Sequence, residues 1–271
     1  MQNIFIALDF IKKLYRSRYM LKMLAFRELK ATYVGSIFGI LWAVMSPLFQ
    51  VALYGVVFGV FFKSTPDPVY RTDSYLLFLL TGLVPWQFFS QTITTSSTTL
   101  ISNTNLIKKA VGFPSELLPI VTVISNIISH LISLALLFLA IFIFNAKVFP
   151  SMLLIPVYIF LTAVFSVGLG WILSSVNVFI KDIQQILGLI LMALFFLTPI
   201  FYNPSIVPPK FLLILKLNPA YQLVEGYRLA LLTGRALPTI DFIYFAGASF
   251  FTLAVGGVFF RKLKPWFAEV L

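Results

Sequence analysis

Stretches without a single charged side chain dominate the chain. Segments 37–62, 74–107, 117–146, 148–180, 183–209 and 242–260 contain no Asp, Glu, Lys or Arg, and each is 19 residues or longer. A helix needs about 20 apolar residues to cross a bilayer. The pattern therefore predicts an all-α membrane protein with six transmembrane helices, at about 37–62, 74–102, 117–144, 148–179, 183–201 and 242–260. Residues 1–36 precede the first span as basic, amphipathic interface helices, and 261–271 form a short tail. A membrane β-barrel is excluded, because its strands are segments of about 10 residues with alternating polarity.

The region between spans five and six breaks the rhythm. From 203 to 239, short apolar runs alternate with Pro208, Pro209, Pro219 and Pro238 and with isolated charges. Phe211–Leu215 and Tyr221–Leu232 are too short to cross and too apolar for a solvated loop. They read as outer-leaflet re-entrant helices, tolerated where irregular backbone is buried in protein, or else as helices lying flat at the interface. Before the first span, residues 20–33 place Phe26, Leu29 and Tyr33 on one helical face. Such a helix lies along the membrane surface with its cations among anionic head groups.

Composition narrows the class. The 271 residues are 60% hydrophobic and 11% charged, against about 25% charged in soluble domains. A water-soluble enzyme and a disordered chain are excluded. With no cysteine, so are a disulfide scaffold and any thiolate metal site. The net charge of +11 belongs to membrane topology rather than to nucleic acid. With six spans, the side carrying both termini holds 13 Lys and Arg and the other side 7, which puts both termini in the cytoplasm. The basic first 36 residues do not read as a cleavable signal peptide.

Catalytic chemistry is sparse. The chain has no phosphate-binding glycine loop, HExxH, GxSxG or paired-carboxylate motif, so it reads as a transport subunit and not an enzyme. The one histidine, His130, lies in an apolar span. It reads as a neutral imidazole hydrogen-bonded between helices, with a metal or proton-relay role as the alternative. Most carboxylates sit beside a cation, as Glu28 near Arg27 and Lys30, Asp182 next to Lys181 and Glu225 near Arg228, so local ion pairing is expected. Aromatic rings are abundant, with 30 Phe, 11 Tyr and 4 Trp. Trp42, Trp86, Trp171 and Trp266 are expected near span ends, where amphipathic rings anchor at the interface.

Several strings match one family in the right order. Arg27-Glu-Leu-Lys-Ala-Thr-Tyr-Val-Gly-Ser-Ile-Phe-Gly-Ile-Leu-Trp42 followed by Pro47-Leu48 resembles the N-terminal segment of the ABC-2 type permeases that export cell-surface polysaccharides. Gly82-Leu-Val-Pro-Trp86, Leu106-Ile-Lys-Lys-Ala-Val-Gly-Phe-Pro-Ser-Glu116 and Asn177-Val-Phe-Ile-Lys-Asp182 are similar to further motifs of that family. Pro199-Ile-Phe-Tyr202, Leu217-Asn-Pro219 and Tyr227-Arg228 extend the series. The resemblance covers about residues 20–235. It is strongest to O-antigen (lipopolysaccharide) exporter permeases, with teichoic acid and capsule exporters next and an exporter of a small lipid or drug as a more distant alternative. Lys181 and Val34 depart from the family pattern, where a basic residue (Arg at the first position) is usual.

The resemblance implies a homodimer that joins two copies of a separate cytosolic ATPase. The partner binds ATP and Mg, and this chain binds no cofactor. A lipid-linked glycan, on undecaprenyl diphosphate, would pass outward through a bacterial inner membrane. Carried over, Arg27, Glu28, Lys30, Lys108, Lys109, Phe113, Pro114 and Glu116 become ATPase-coupling residues. Lys22, Tyr33, Trp42, Trp86, Tyr202 and Arg228 become the substrate entrance and path.

Overall fold

The computed structural model describes residues 12, 14–33, 37–109, 113–144 and 147–271. Among these residues every regular element is helical. An interface-type helix, α1 (Arg18–Tyr33), is followed by α2 (Trp42–Tyr54), which widens into a π-helical turn over Gly55–Phe61. Then come α3 (Tyr75–Ser102), the short α4 (Thr104–Lys109), α5 (Leu117–Ile143), α6 (Ile155–Phe179) and α7 (Ile183–Leu197). The short α8 (Pro209–Lys216) and α9 (Pro219–Arg228) precede α10 (Thr239–Leu263) and a last turn, α11 (Phe267–Val270).

Five helical stretches are long and apolar enough to cross a membrane: Val44–Phe61, Tyr75–Ser102, Leu117–Ile143, Pro150–Phe179 and Thr239–Trp266. The expected fifth span, 183–201, holds an apolar helix shorter than the other five stretches. Its helix α7 ends at Leu197 after 15 residues, about 22 Å at 1.5 Å per residue, short of a hydrocarbon core of roughly 30 Å. Pro199 is the cause: it drives Thr198 out of the helical region, to ψ 131°, as a residue preceding proline is driven.

The packing order inverts that of a soluble protein. The least apolar of the five stretches, α3, is the most buried, and the outer α2 is scarcely buried at all. The reason is its Ser/Thr-rich half, 90–99, which would expose hydroxyls to lipid. Most of those hydroxyls are satisfied locally: Thr92 donates to the Phe88 carbonyl at 2.6 Å, Thr95 to Gln91 at 2.8 Å and Ser97 to Thr94 at 2.7 Å, while the buried Ser96 hydroxyl has no partner among the described residues. Back-bonding of this kind makes a polar helix tolerable in an apolar setting. Around α3 pack α5, α6 and α9. Its N-terminus is capped by Ser74, whose hydroxyl accepts from the Leu77 amide at 3.3 Å.

The closest helix pair is α6 with α10. It crosses at Gly168 and Gly256: a Cβ at 256 would lie 2.1 Å from the Gly168 carbonyl oxygen, and one at 168 would lie 2.4 Å from the Thr252 backbone. Without side chains here, the two backbones touch, the geometry that small residues permit between helices in lipid.

Segment 203–239 is folded against the bundle. Asn218 caps α9 by accepting from the Ala220 amide at 3.0 Å, with Pro219 at its first position, a favoured start. Most of α9 is buried, while Phe211, Leu213 and Ile214 of α8 are exposed.

On α1 a second apolar face packs inside the protein. Leu21, Leu24 and Ala25 are buried against Leu117 and Val121 of α5, and Phe26 is half exposed. Apolar residues lie nearly all round α1, so periodicity does not choose a face there. Packing against α5 does.

Candidate functional site

Five helices line a groove of about 670 Å³. Ser46 and Gln50 of α2 face it, as do Gln87, Ser90, Gln91 and Thr95 of α3 and Ser125, Asn126, Ser129 and Ser133 of α5. Leu191, Met192 and Phe195 of α7 close the remaining side. In each helix the polar positions recur every three or four residues, so they fall on one face. That spacing is visible in the sequence and is the signal that aromatic and charged motifs overshadow. Gln87 donates to Gln50 at 2.6 Å and Asn126 to Thr95 at 2.9 Å, tying α2 to α3 and α3 to α5 across the polar wall.

The groove is nearly free of charge. Among the described residues Glu28 of α1 is its one carboxylate, and that carboxylate accepts from the Thr122 hydroxyl at 2.8 Å. Burial pushes the Glu28 carboxyl above its usual range, while the Thr122 hydroxyl and nearby Arg27 act in the other direction. The Tyr54, Trp86 and Phe195 rings line the groove and contact one another, with centroids 5.7 Å apart for Tyr54–Phe195 and 5.6 Å for Trp86–Phe195. Trp42 also lines it, 42% exposed.

Two tryptophan expectations change. Trp86 and Trp171 lie within α3 and α6 and are buried, not at span ends. Each has packing or bonding to hold it: Trp86 lies among Phe89 and Phe195, and the Trp171 indole donates to the Glu116 carbonyl at 2.9 Å.

His130 is buried, stacked on Phe88 at 4.6 Å, and its Nε2 lies 2.8 Å from the Tyr227 hydroxyl. It joins α5 to α9, as expected of an imidazole bonded between helices. No group of three or more metal-ligating side chains occurs among the described residues.

Arg228 is not on a path. It is fully buried, and its guanidinium donates to the main-chain carbonyls of Pro199 and Ile200. The Phe78 ring lies 3.8 Å from its carbon centre and Tyr70 5.7 Å. The breaking of α7 at Pro199 leaves buried carbonyls needing donors, and a forked cation supplies them. Gly82 makes room, since a Cβ there would lie 2.8 Å from Arg228 Nη2. Three separate motifs, at 82, at 199–200 and at 228, thus meet in one node. The expected attraction between Glu225 and Arg228 is present, and a longer-range contact joins it: Glu225 accepts from the Tyr70 hydroxyl at 3.0 Å. Burial pushes the Glu225 carboxyl up, opposed by Arg228 and Tyr70.

The remaining expected residues gather at one end of the bundle. Arg27 donates to Asn103 at 2.7 Å. Glu116 pairs with Lys264 at 2.5 Å, joining the 113–116 turn to the end of α10. Phe113 packs between the apolar clusters around Leu118 and Leu117. Pro114 accepts from the Leu117 amide at 2.9 Å. Lys22, Lys30 and Lys108 are exposed. The Tyr33 and Lys109 side chains lie outside what is described, as do residues 34–36 and 110–112. Tyr202 is at the other end of α7, donating to the Leu197 carbonyl at 3.2 Å.

Comparison with known proteins decides the family. The ABC-2 type transporter family model matches residues 19–232. The chain belongs to the ABC-2 type transporter family. Among its ABC-2 relatives, an O-antigen export system permease protein RfbA of Klebsiella pneumoniae is 30% identical over 266 residues, covering 96% of this chain and 99% of that protein. The RfbA permease of Myxococcus xanthus is 28% identical, covering 96% and 98%. The polysialic acid transport protein KpsM of Escherichia coli is 24% identical, covering 87% and 90%. This ABC-2 chain is a multi-pass membrane protein, and its matched region runs from α1 through α9.

Proposed function

We propose that the chain is the permease subunit of an ATP-driven exporter, and that it moves a lipid-linked O-antigen-type polysaccharide across a bacterial inner membrane. The observation that carries this reading is the neutral polar groove among apolar helices. Amide and hydroxyl side chains exchange hydrogen bonds with sugar hydroxyls, each contact worth about 1 kcal/mol net. Aromatic edges such as Trp42 and Trp86 offer apolar surface to sugar rings. A wall of many weak, similar contacts suits a long glycan that must slide.

Export needs an energy source that this chain's motifs do not supply. Two copies of the permease would join two copies of a separate ATPase, which binds ATP and Mg. The end of the bundle formed by α1, α4, the 113–116 turn and α11 is the proposed docking side, cytoplasmic together with both termini. There Arg27, Glu28, Lys30, Lys108, Lys109, Phe113, Pro114 and Glu116 would transmit ATPase motion. The Arg27–Asn103 bond ties α1 to the connection ahead of α4, and the Glu116–Lys264 pair ties the turn to α10, so a push on this end reaches several helices. Segment 203–239 would sit in the outer leaflet as re-entrant helices, with Tyr202 near the exit. Capsular polysaccharide is the second reading, favoured by the KpsM relative.

The test is deletion of the gene together with purification of the tagged chain. Loss of surface polysaccharide, build-up of its lipid-linked form inside the cell and co-purification of an ATPase are expected. Normal surface polysaccharide after deletion would refute the reading.

A further inference from the structure

A second, smaller hollow lies away from the polar groove, between α1 and α5. It measures about 290 Å³ and its floor is apolar: Leu21, Ala25 and Phe26 from α1, Ile124 and Ile128 from α5. Arg18 and Lys22, one helical turn apart, complete its lining. Both cations are exposed. The positions 18, 22 and 25–26 form a single stripe on α1, so the two charges stand in line with the apolar slot.

Arg18 is held in place. Its guanidinium carbon lies 4.5 Å from the centre of the Tyr15 ring and 5.3 Å from that of Tyr19, and both rings are mostly exposed. Aromatic stacking engages the faces of a guanidinium and leaves its N–H edges able to donate to a phosphate. Exposed tyrosines beside a cation are also the side chains that settle at head-group depth. An apolar hollow of about 290 Å³ thus borders two cations in line with it.

We propose that this hollow is a binding site for one anionic phospholipid. An acyl chain lies along Ile124 and Ile128, and the phosphate is bound by Arg18 and Lys22. Beside the hollow, α1 is already fixed to α5 through Leu21, Leu24 and Ala25, which cluster with Leu117 and Val121. A lipid in the slot completes the seat of α1 from the membrane side. The proposal stands apart from the identity of the exported cargo.

The test uses the purified full-length chain, with native mass spectrometry after incubation with phosphatidylglycerol or with phosphatidylcholine of the same acyl chains. One retained phosphatidylglycerol per chain is expected, with no matching phosphatidylcholine. Arg18→Gln or Lys22→Gln should weaken retention about fivefold each, and the pair about thirtyfold, at roughly 1 kcal/mol per cation. Ile128→Trp keeps both charges and fills the slot, so it should also abolish the tight lipid. Equal retention of the two lipids would overturn the proposal, as would a double variant that binds like wild type. If Ile128→Trp alone had no effect, the acyl-chain seat would be refuted. Displacement of phosphatidylglycerol by equimolar undecaprenyl phosphate would assign the hollow to the lipid carrier and overturn it as a phospholipid site.

Discussion

A buried guanidinium costs least where its donors find acceptors, and Arg228 meets that demand at its two terminal nitrogens while its Nε is left without a partner among the described residues. Two main-chain carbonyls released by the break at Pro199 accept from it, and the Phe78 face covers it. Arg228→Met should strand those carbonyls and lower stability by about 3–5 kcal/mol, the scale for breaking a buried charged contact. Thermal unfolding in detergent measures it. Arg228→Lys should restore less than half of the loss, because an ammonium lacks the planar fork. Gly82→Ala inserts a methyl 2.8 Å from Nη2 and should cost about 1–3 kcal/mol, as overpacking does. In the Gly82→Ala/Arg228→Met double variant the two losses should fall short of additive, since the methyl then meets a flexible thioether. Additive losses would show that the two positions do not interact.

At the scale of elements, the α6–α10 crossing makes a sharp comparison. Gly256→Ala places a Cβ against the Gly168 carbonyl, while a Cβ at Gly247 meets nothing within 4 Å. Gly256→Ala should cut the yield of monodisperse protein severalfold on size-exclusion chromatography. Gly247→Ala should leave it unchanged or raise it, because alanine is the better helix former. The spans themselves were legible from charge-free runs, since the bilayer sets both their length and their composition. The short α7 was not read so, although its cause is written in the chain. An apolar run continues through Pro199, and hydropathy counts the residues beyond the break as though they were helix. The face of α1 was illegible for another reason. Periodicity picks a face only when the others are polar, and Met23 and Phe26 make the alternatives equally apolar. In the groove, the 87–91–95 and 126–129–133 spacings were readable in principle, but neutral amides and hydroxyls carry no motif to draw attention to them.

For the whole molecule, the decisive feature is that the bundle has two chemically distinct ends. Lys108, Glu116–Lys264 and Arg27–Asn103 crowd one end, and Tyr202 with the α8–α9 segment marks the other. If the first end docks the ATPase, Lys108→Glu with Lys109→Glu should leave membrane insertion intact. Export should drop at least tenfold while ATP hydrolysis by the complex continues. Coupling at the wild-type level in that double variant would remove the docking assignment. The order of the family motifs along the chain pointed to this end, but only folding shows that the N-terminal helix and the last turn share it. The hydroxyls of α3 have a consequence of their own. Ser90 and Thr95, the two hydroxyls of α3 that line the groove, have each committed their proton to a carbonyl of the same helix, so what they have left is lone pairs. A surface of that kind accepts from a passing hydroxyl or a water molecule with equal ease and holds neither. If the groove carries the proposed glycan, the wall at these positions would act as a low-friction bearing, wetted by water that a moving chain can shoulder aside.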